Sequence, residues 1–404
     1  MNRTVGGVCL IAGTAIGSGM LALPIILASL GIFYSITLML TIWLLTYYTS
    51  LVSVELSLQA GQGLALGRLG RLYSGKGAEL LGILSIKIIS YSLLAVFIYG
   101  ISSVIQKMLI DFSIDFDFKV IAFLSTCSVI GMLSLSMGLI DRINRMLFYA
   151  LLFSIGIIIF GLLIVMDWTT IPINMGDVAF KDLRLAVPIL FTSFGYQTIF
   201  ATLVQYCQQD SSKLKKACFW GSFIPTITYI LWFVVILVVI NNYDPHFYSL
   251  MTNISVDVGS MILKLSQIAN ITYMQIVIWC LSVLAIFTSL VGVGMGLMNS
   301  WEDILNKGRI GASFSVKVKS LLLAFIPSLF IALVVPNAFI KMLSFAGMIL
   351  VIIAVLLPLY LLQKIKTNKL HYSILTSKFI RSIAAVLGIV IILMEIINIF
   401  YKGI

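Results

Sequence analysis

The run Gly13-Thr14-Ala15-Ile16-Gly17-Ser18-Gly19-Met20, with Pro24 just beyond, puts three glycines within seven residues in the middle of an apolar stretch. A second apolar stretch is interrupted by Pro188 and then Thr192-Ser193-Phe194-Gly195-Tyr196-Gln197. Each glycine weakens a helix by about 1 kcal/mol relative to alanine, and irregular backbone survives at membrane depth only where it is buried in protein or lines a cavity. The half-helices flanking such a break offer free N–H groups to a carboxylate and unwound carbonyls to an ammonium. An amino acid zwitterion carries both. Gly13 and Gly17 also form a G-x-x-x-G pair, whose alternative reading is close helix packing.

Ionisable groups inside apolar stretches are few: Glu55, Lys87 and Glu395. Each is costly in lipid unless it snorkels, pairs or faces water. Glu55 and Lys87 both fall toward the cytoplasmic side, so an ion pair and a part in proton coupling form one reading, and interfacial snorkelling or a structural pair the other. Glu395 reads as structural. Thr288-Ser289, just before Gly292, Gly294 and Gly296, could ligate Na⁺ together with carbonyls of the first span, or bond only to their own i−4 carbonyls. His246 and His371 fall in loops, which excludes an intramembrane histidine relay. Five cysteines with no C-x-x-C spacing read as small hydrophobes, and Gly61 to Gly67 has no preceding strand to suggest nucleotide binding. Neither metal-ligand spacing nor a nucleophile with a nearby histidine and acid is present. The reading is therefore a non-enzyme with no catalytic residues, no metal and no resident cofactor. Without a signalling domain, an amino acid sensor is the weaker alternative to a transporter.

The elements that carry these residues follow from composition. Of 404 residues, 61% are hydrophobic and 10% charged, with a mean hydropathy of +1.12, so the chain belongs in lipid. Its apolar runs lack the alternation of barrel strands, which leaves helices. Reading them between polar punctuation predicts eleven spans, at about 4–30, 32–59, 78–107, 119–139, 143–166, 184–207, 218–241, 271–301, 317–335, 338–363 and 379–401. The first run is long and lacks a clear cleavage site, so it reads as an uncleaved span. With the N-terminus inside, alternate loops place 18 Lys and Arg on the cytoplasmic side and seven outside, Lys87 remaining within a span. The net charge of +11 thus records topology and not a nucleic-acid site. The segment 242–270 mixes apolar and polar residues and predicts a short helix on the outer surface. The two interrupted spans are the first and the sixth. They head successive blocks of five, and an odd block length inverts the second block, the pattern in which broken helices mark a transporter's substrate site.

Gly13 to Pro24 (G-T-A-I-G-S-G-M-L-A-L-P), Val187 to Gln197 (V-P-I-L-F-T-S-F-G-Y-Q) and Thr288 to Leu297 (T-S-L-V-G-V-G-M-G-L) resemble the bacterial hydroxy and aromatic amino acid permeases, most closely their tyrosine-specific members. The likeness runs nearly end to end, including Glu55 and a short inner loop at Asp141-Arg142-Ile143-Asn144-Arg145. It implies an all-α membrane protein of the amino acid, polyamine and organocation superfamily: a single domain over 1–404 with a five-plus-five inverted-repeat (LeuT-like) fold, repeats at about 4–166 and 184–363, and an eleventh helix at 379–401. It also implies proton-driven uptake of tyrosine, tryptophan or phenylalanine, tyrosine foremost, across the bacterial inner membrane, with H⁺ as coupling ion; the alternatives are Na⁺ coupling and transport of tryptophan or another neutral amino acid. Carried over, Thr14, Ala15, Gly17, Ser18 and Gly19 would hold the substrate's carboxylate and amine, and Ser193, Phe194, Gly195 and Tyr196 would complete the pocket. Phe194, Tyr196 and Tyr91 could wall an aromatic ring. Glu55, Lys87, Thr288 and Ser289 are the ion-coupling candidates. The partners implied are substrate and membrane lipid, with a monomer compatible with everything read. Lys87, where an apolar residue is expected, and Tyr196-Gln197, where an aromatic is often followed by His, depart from the family pattern.

Overall fold

The computed structural model describes residues 3–17, 19–135, 137–165, 179–269, 272–305, 314–335, 338–365 and 370–400, which are helical almost throughout and contain no strand. Ser18 and the basic loop residues Lys307, Arg309, Lys366, Lys369 and Lys402 lie outside them. In chain order the helices are α1 (Arg3–Ala15), α2 (Gly19–Leu27), α3 (Gly31–Gln59), α4 (Leu66–Ser74), α5 (Lys76–Asp111), α6 (Phe118–Leu133) and α7 (Met137–Val165). They continue as α8 (Phe180–Ser193), α9 (Phe200–Tyr206), α10 (Ser211–Tyr243), α11 (Pro245–Thr252), α12 (Val258–Ala269), α13 (Thr272–Leu305), α14 (Phe314–Val334), α15 (Ala338–Val351), α16 (Leu357–Lys364) and α17 (Lys378–Phe400).

Seven stretches among the described residues are long and apolar enough to cross a membrane: Gly19–Gln59, Lys76–Asp111, Ser211–Tyr243, Met274–Glu302, Phe314–Val334, Phe339–Lys364 and Lys378–Phe400. Shorter apolar helices, among them Arg3–Ala15, Phe118–Leu133 and Tyr149–Ile164, accompany them. The turn between α6 and α7 falls earlier than the loop expected at Asp141–Arg145, which instead lies in the opening turns of α7. Lys317 replaces the missing partners of α6's last carbonyls, donating to Ser134 O (3.2 Å) and Leu135 O (3.0 Å).

Aspartates start several helices by accepting from first-turn amides: Asp117 from Lys119 (2.6 Å), Asp210 from Ser212 and Lys213 (3.0 Å each) and Asp244 from Phe247 (2.9 Å). Gly75, at φ +97°, makes the reversal between α4 and α5. The segment expected to hold one surface helix holds two, α11 and α12. Lys264 on α12 forms an ion pair with Asp244, which holds that carboxyl below the usual range. This unit packs on α2, α5, α10 and α13 and covers one end of the bundle.

Inside the bundle, α5 is central and packs against α13, α14 and α15, while α13 packs against α7. α1 lies along one face of α10 in a regular register. A Cβ on Gly7 would meet Ala217 at 3.0 Å, one on Gly221 would meet Ile11 at 2.6 Å, and Tyr229 reaches Ala15. Positions 7, 11 and 15 recur at the four-residue spacing of a helix face, and their partners 217, 221 and 229 fall at four and then eight residues along the same face of α10. Between α15 and α16 the chain takes a π turn, Ile352–Leu356, immediately before Pro358, and α17 packs across it.

Candidate functional site

Both stretches are broken at their glycines, whereas Pro24 and Pro188, expected to take part in the interruption, lie inside the continuous helices α2 and α8. α1 ends at Ala15 and α2 begins at Gly19; α8 ends at Ser193, and a 3-10 turn, Gln197–Ile199, leads into α9. The two breaks abut. A Cβ on Gly19 would lie 3.0 Å from Ser193 Oγ, so only glycine admits this approach without displacing its neighbour. Ser193 Oγ donates to Ile189 O (3.1 Å) and lies 3.4 Å from Gly19 O.

Tyr229 of α10 joins the two breaks. Its fully buried hydroxyl lies 2.5 Å from Ala15 O and 2.8 Å from Ser193 O, the last carbonyls of α1 and α8, and its ring meets Phe194 edge-on at 5.3 Å. A phenol has one hydrogen, so it donates to one of these carbonyls at a time. Sequence reading missed this residue. The available signal was Pro225, one turn before it, in a span with no charged residue nearby.

Ala15 and Gly17 are buried, Gly19 and Gly195 half-buried, and Thr14 is exposed with its hydroxyl bonded to Leu10 O (2.8 Å). Phe194 and Tyr196 are fully buried; Tyr196 Oη lies 3.1 Å from Ser50 Oγ on α3. Tyr91 points elsewhere. Its hydroxyl donates to Leu323 O (2.9 Å) and accepts from Trp301 Nε1 (2.8 Å), which ties α5 to α13 and α14. Thr288 and Ser289 both donate to backbone carbonyls of the preceding turn, at 2.9 Å to Leu284 O and Ala285 O. Ser289 also faces the first break, where a Cβ on Gly17 would come within 2.5 Å of its Oγ.

A model of the tryptophan/tyrosine permease family matches residues 1–395. The chain belongs to that family. Tyrosine-specific transport system 1 of Haemophilus influenzae is 29% identical over 396 residues, covering 97% of this chain and 96% of the relative. Glutamine transporter 2 of Aliivibrio fischeri is 28% identical, with 92% of each chain covered, and a tryptophan-specific transport protein of Pseudomonas aeruginosa is 27% identical over 88% of this chain and 84% of its own. A permease family places the chain among transporters and not enzymes.

In this permease Glu55 and Lys87 have separate partners, so of the two readings the ion pair between them is not the one formed. Lys87 Nζ sits 3.8 Å from the centroid of the Trp301 ring, a cation–π contact that leaves its stem along α5. Glu55, fully buried, accepts from Gln59 Nε2 (2.7 Å) and, through both oxygens, from the backbone N–H of His371 (3.1 Å each), with His371 Nδ1 3.0 Å away. His371 therefore does reach an intramembrane carboxylate, from a loop that folds back over α3. The same loop is pinned to α10 by Tyr372, whose hydroxyl donates to Ser211 O (2.9 Å) and whose burial pushes its phenol up. Loop placement alone hid this, because sequence does not show where a loop returns.

Glu395 keeps its structural reading and gains named partners. It is 3% exposed, bonded to Ser344 of α15 and to Asn398 Nδ2 (3.1 Å), and Asn398 Nδ2 also donates to Arg184 O (2.9 Å). Together these tie α17 to α15 and α8. Among the described residues no group of His, Cys, Asp and Glu could hold a metal ion.

Proposed function

We propose that this permease imports an aromatic amino acid, tyrosine foremost, by proton symport with alternating access around a site between the two broken helices. The observation that carries the reading is the Tyr229 hydroxyl bridging Ala15 O and Ser193 O. One hydrogen shared between two freed carbonyls leaves acceptor capacity that a substrate ammonium, with three hydrogens, can fill. The N–H groups opening α2 suit the carboxylate. Phe194 and Tyr229 provide the aromatic surface that a substrate ring packs on.

The fold reading is eleven spans: α1 with α2, then α3, α5, α6 and α7, then α8 with α9, α10, α13, α14 and α15 with α16, and last α17. Exchange of the first five for the second five turns the α5–α15 packing into α13–α7 packing, and both are present. That correspondence supports inverted repeats. The charge bias supports a cytoplasmic N-terminus and an outer C-terminus, in a bacterial inner membrane. Glu55 is the proton-coupling carboxylate in this reading, since it is buried yet bonded to His371, whose own side chain is exposed where α3 meets a loop. Na⁺ is the alternative coupling ion, favoured by Ser289 facing the first break.

Uptake of radiolabelled tyrosine, tryptophan, phenylalanine, glutamine and leucine into proteoliposomes, with pH and Na⁺ gradients imposed separately, tests this. Accumulation of tyrosine on the pH gradient supports the reading, and accumulation on the Na⁺ gradient alone replaces the ion. Folded protein that accumulates none of the aromatic amino acids overturns it. Glu55→Gln is expected to weaken the pH dependence of uptake, and an unchanged profile leaves that carboxylate a structural role.

A further inference from the structure

Around the two breaks most polar side chains have partners. Thr192 Oγ1 donates to Pro188 O and Leu343 O (2.9 Å each), Ser193 and Tyr229 are bonded as described, and Tyr196 meets Ser50. Gln197 does not follow this pattern. It is 9% exposed, and among the described residues neither its Nε2 nor its Oε1 has a hydrogen-bond partner. It opens the 3-10 turn after the second break, and that turn packs against α1, so this buried residue lies where the second broken helix meets the first. A carboxamide carries two donor hydrogens and an acceptor oxygen, and burying all of them unmet destabilises the empty protein. A glutamine at this position is favoured where something that binds supplies the partners.

We propose that Gln197 is the specificity-determining residue of this permease's substrate site, its amide pairing with a hydrogen-bonding group on the substrate side chain. The inference rests on the permease reading above and goes beyond it by naming what is read. Phenol, indole N–H and carboxamide each offer a donor, an acceptor or both to an amide, whereas the bare phenyl ring of phenylalanine offers neither. Sites built to bond a polar substrate group discriminate against the analogue that lacks it, because the site's own polar group is then left unpaired. An apolar pocket alone separates tyrosine from phenylalanine only weakly.

The test is Gln197→Met, which keeps length and volume and removes the amide. The ratio of kcat/KM for tyrosine over phenylalanine is expected to fall by roughly tenfold or more, chiefly through lost tyrosine transport. Unliganded Gln197→Met is also expected to unfold at a higher temperature than the parent, since an unmet amide has been replaced by an apolar group, and tyrosine is expected to raise its midpoint by less. An unchanged selectivity ratio, or a lower unliganded midpoint, overturns the proposal. Should the variant not fold, competition against bound radiolabelled tyrosine in the parent protein decides. Phenylalanine is expected to compete at least roughly tenfold more weakly than tyrosine, and equal competition overturns the proposal. Failure of the permease reading is distinct, because the folded parent then binds and carries none of these amino acids, while the unliganded midpoint still reports on the amide.

Discussion

The two halves of each broken helix are packed very differently. Every residue of α2 from Met20 to Leu27 is buried, as is every residue of α8 from Arg184 to Ser193. α1 buries only Gly7, Ile11, Ala12 and Ala15, and α9 only Phe200, Leu203 and Val204, with Val5, Leu10 and Thr14 exposed. α2 and α8 pack on each other, α8 packs on α15 and α17, and α11 with α12 covers α2. α1 is held along one face by α10 and meets α9 at its margin. The protein is thus sealed around one pair of half-helices and loosely enclosed around the other. Under the alternating-access mechanism proposed above, the half-helices with less to unpack would be the ones to swing, and the tight pair the frame against which they move.

The sharpest way to break this contrast is one added methyl on each side of it. A Cβ on Gly347 of α15 would collide with the Pro188 carbonyl oxygen and come within 2.7 Å of Thr192 Oγ1, both parts of α8. Gly347→Ala is expected to destabilise by about 1–3 kcal/mol or more and lower the yield of monodisperse protein. A Cβ on Gly6 of α1 would meet only the far end of Tyr206, a half-buried side chain at the end of α9. Gly6→Ala is expected to leave the unfolding midpoint near the parent's. Equal losses in size-exclusion and thermal-melt assays would remove the contrast.

Next in size are the glycines of the breaks. A Cβ at Gly17 would lie 2.5 Å from Ser289 Oγ, and one at Gly195 2.8 Å from Thr192 O. Gly17→Val and Gly195→Val are expected to abolish tyrosine binding while expression is largely retained; scintillation-proximity binding with parental affinity in both would sink the half-helix site. Tyr229→Phe keeps the ring against Phe194 and removes only the bridging hydroxyl. Both carbonyls then lose their protein donor, which is expected to lower the unliganded unfolding midpoint by the equivalent of about 1–3 kcal/mol, with bound tyrosine, whose ammonium can fill the freed carbonyls, restoring part of it.

The smallest effect concerns the cover over the tight halves. The hydrogen bond from Lys264 depresses the Asp244 carboxyl, so the charged form is favoured in the folded protein. Its contribution is present above the ordinary carboxylate pKa of about 4 and fades as pH falls through the lower folded value. Hydrogen exchange in α11 and α12 is expected to rise at acid pH, and Lys264→Met to raise it already at neutral pH. Exchange indifferent to both would detach this pair from the cover.

The breaks were legible because glycine acts locally. Gly17, Gly19 and Gly195 weaken a helix whatever surrounds it, whereas Pro188 lies inside the continuous helix α8, and the close approach of Gly19 to Ser193 is a tertiary contact that no local signal shows. The long apolar helices were legible for a similar reason. Tyr229 was not, since a tyrosine in an apolar run reads equally as a membrane-facing ring, and its role depends on two carbonyls distant in sequence. Glu55 was singled out by its cost in lipid, yet its partner proved to be His371, 316 positions away, and not Lys87. Gln197 was noted only as a departure from the family pattern. Its isolation is a property of everything around it and is written in no single residue.

The π turn at Ile352–Leu356 holds, in geometric terms, one residue more than a regular helical turn does, without breaking the helix. Each residue of an α-helix turns the chain by about 100°, so everything beyond this turn is rotated by that amount relative to a regular helix. The face of α16 that results places Tyr360 Oη 2.7 Å from Ser74 Oγ of α4. A chain shortened by one residue here would regain regular geometry and present α16's neighbouring face instead, turning Tyr360 away from Ser74.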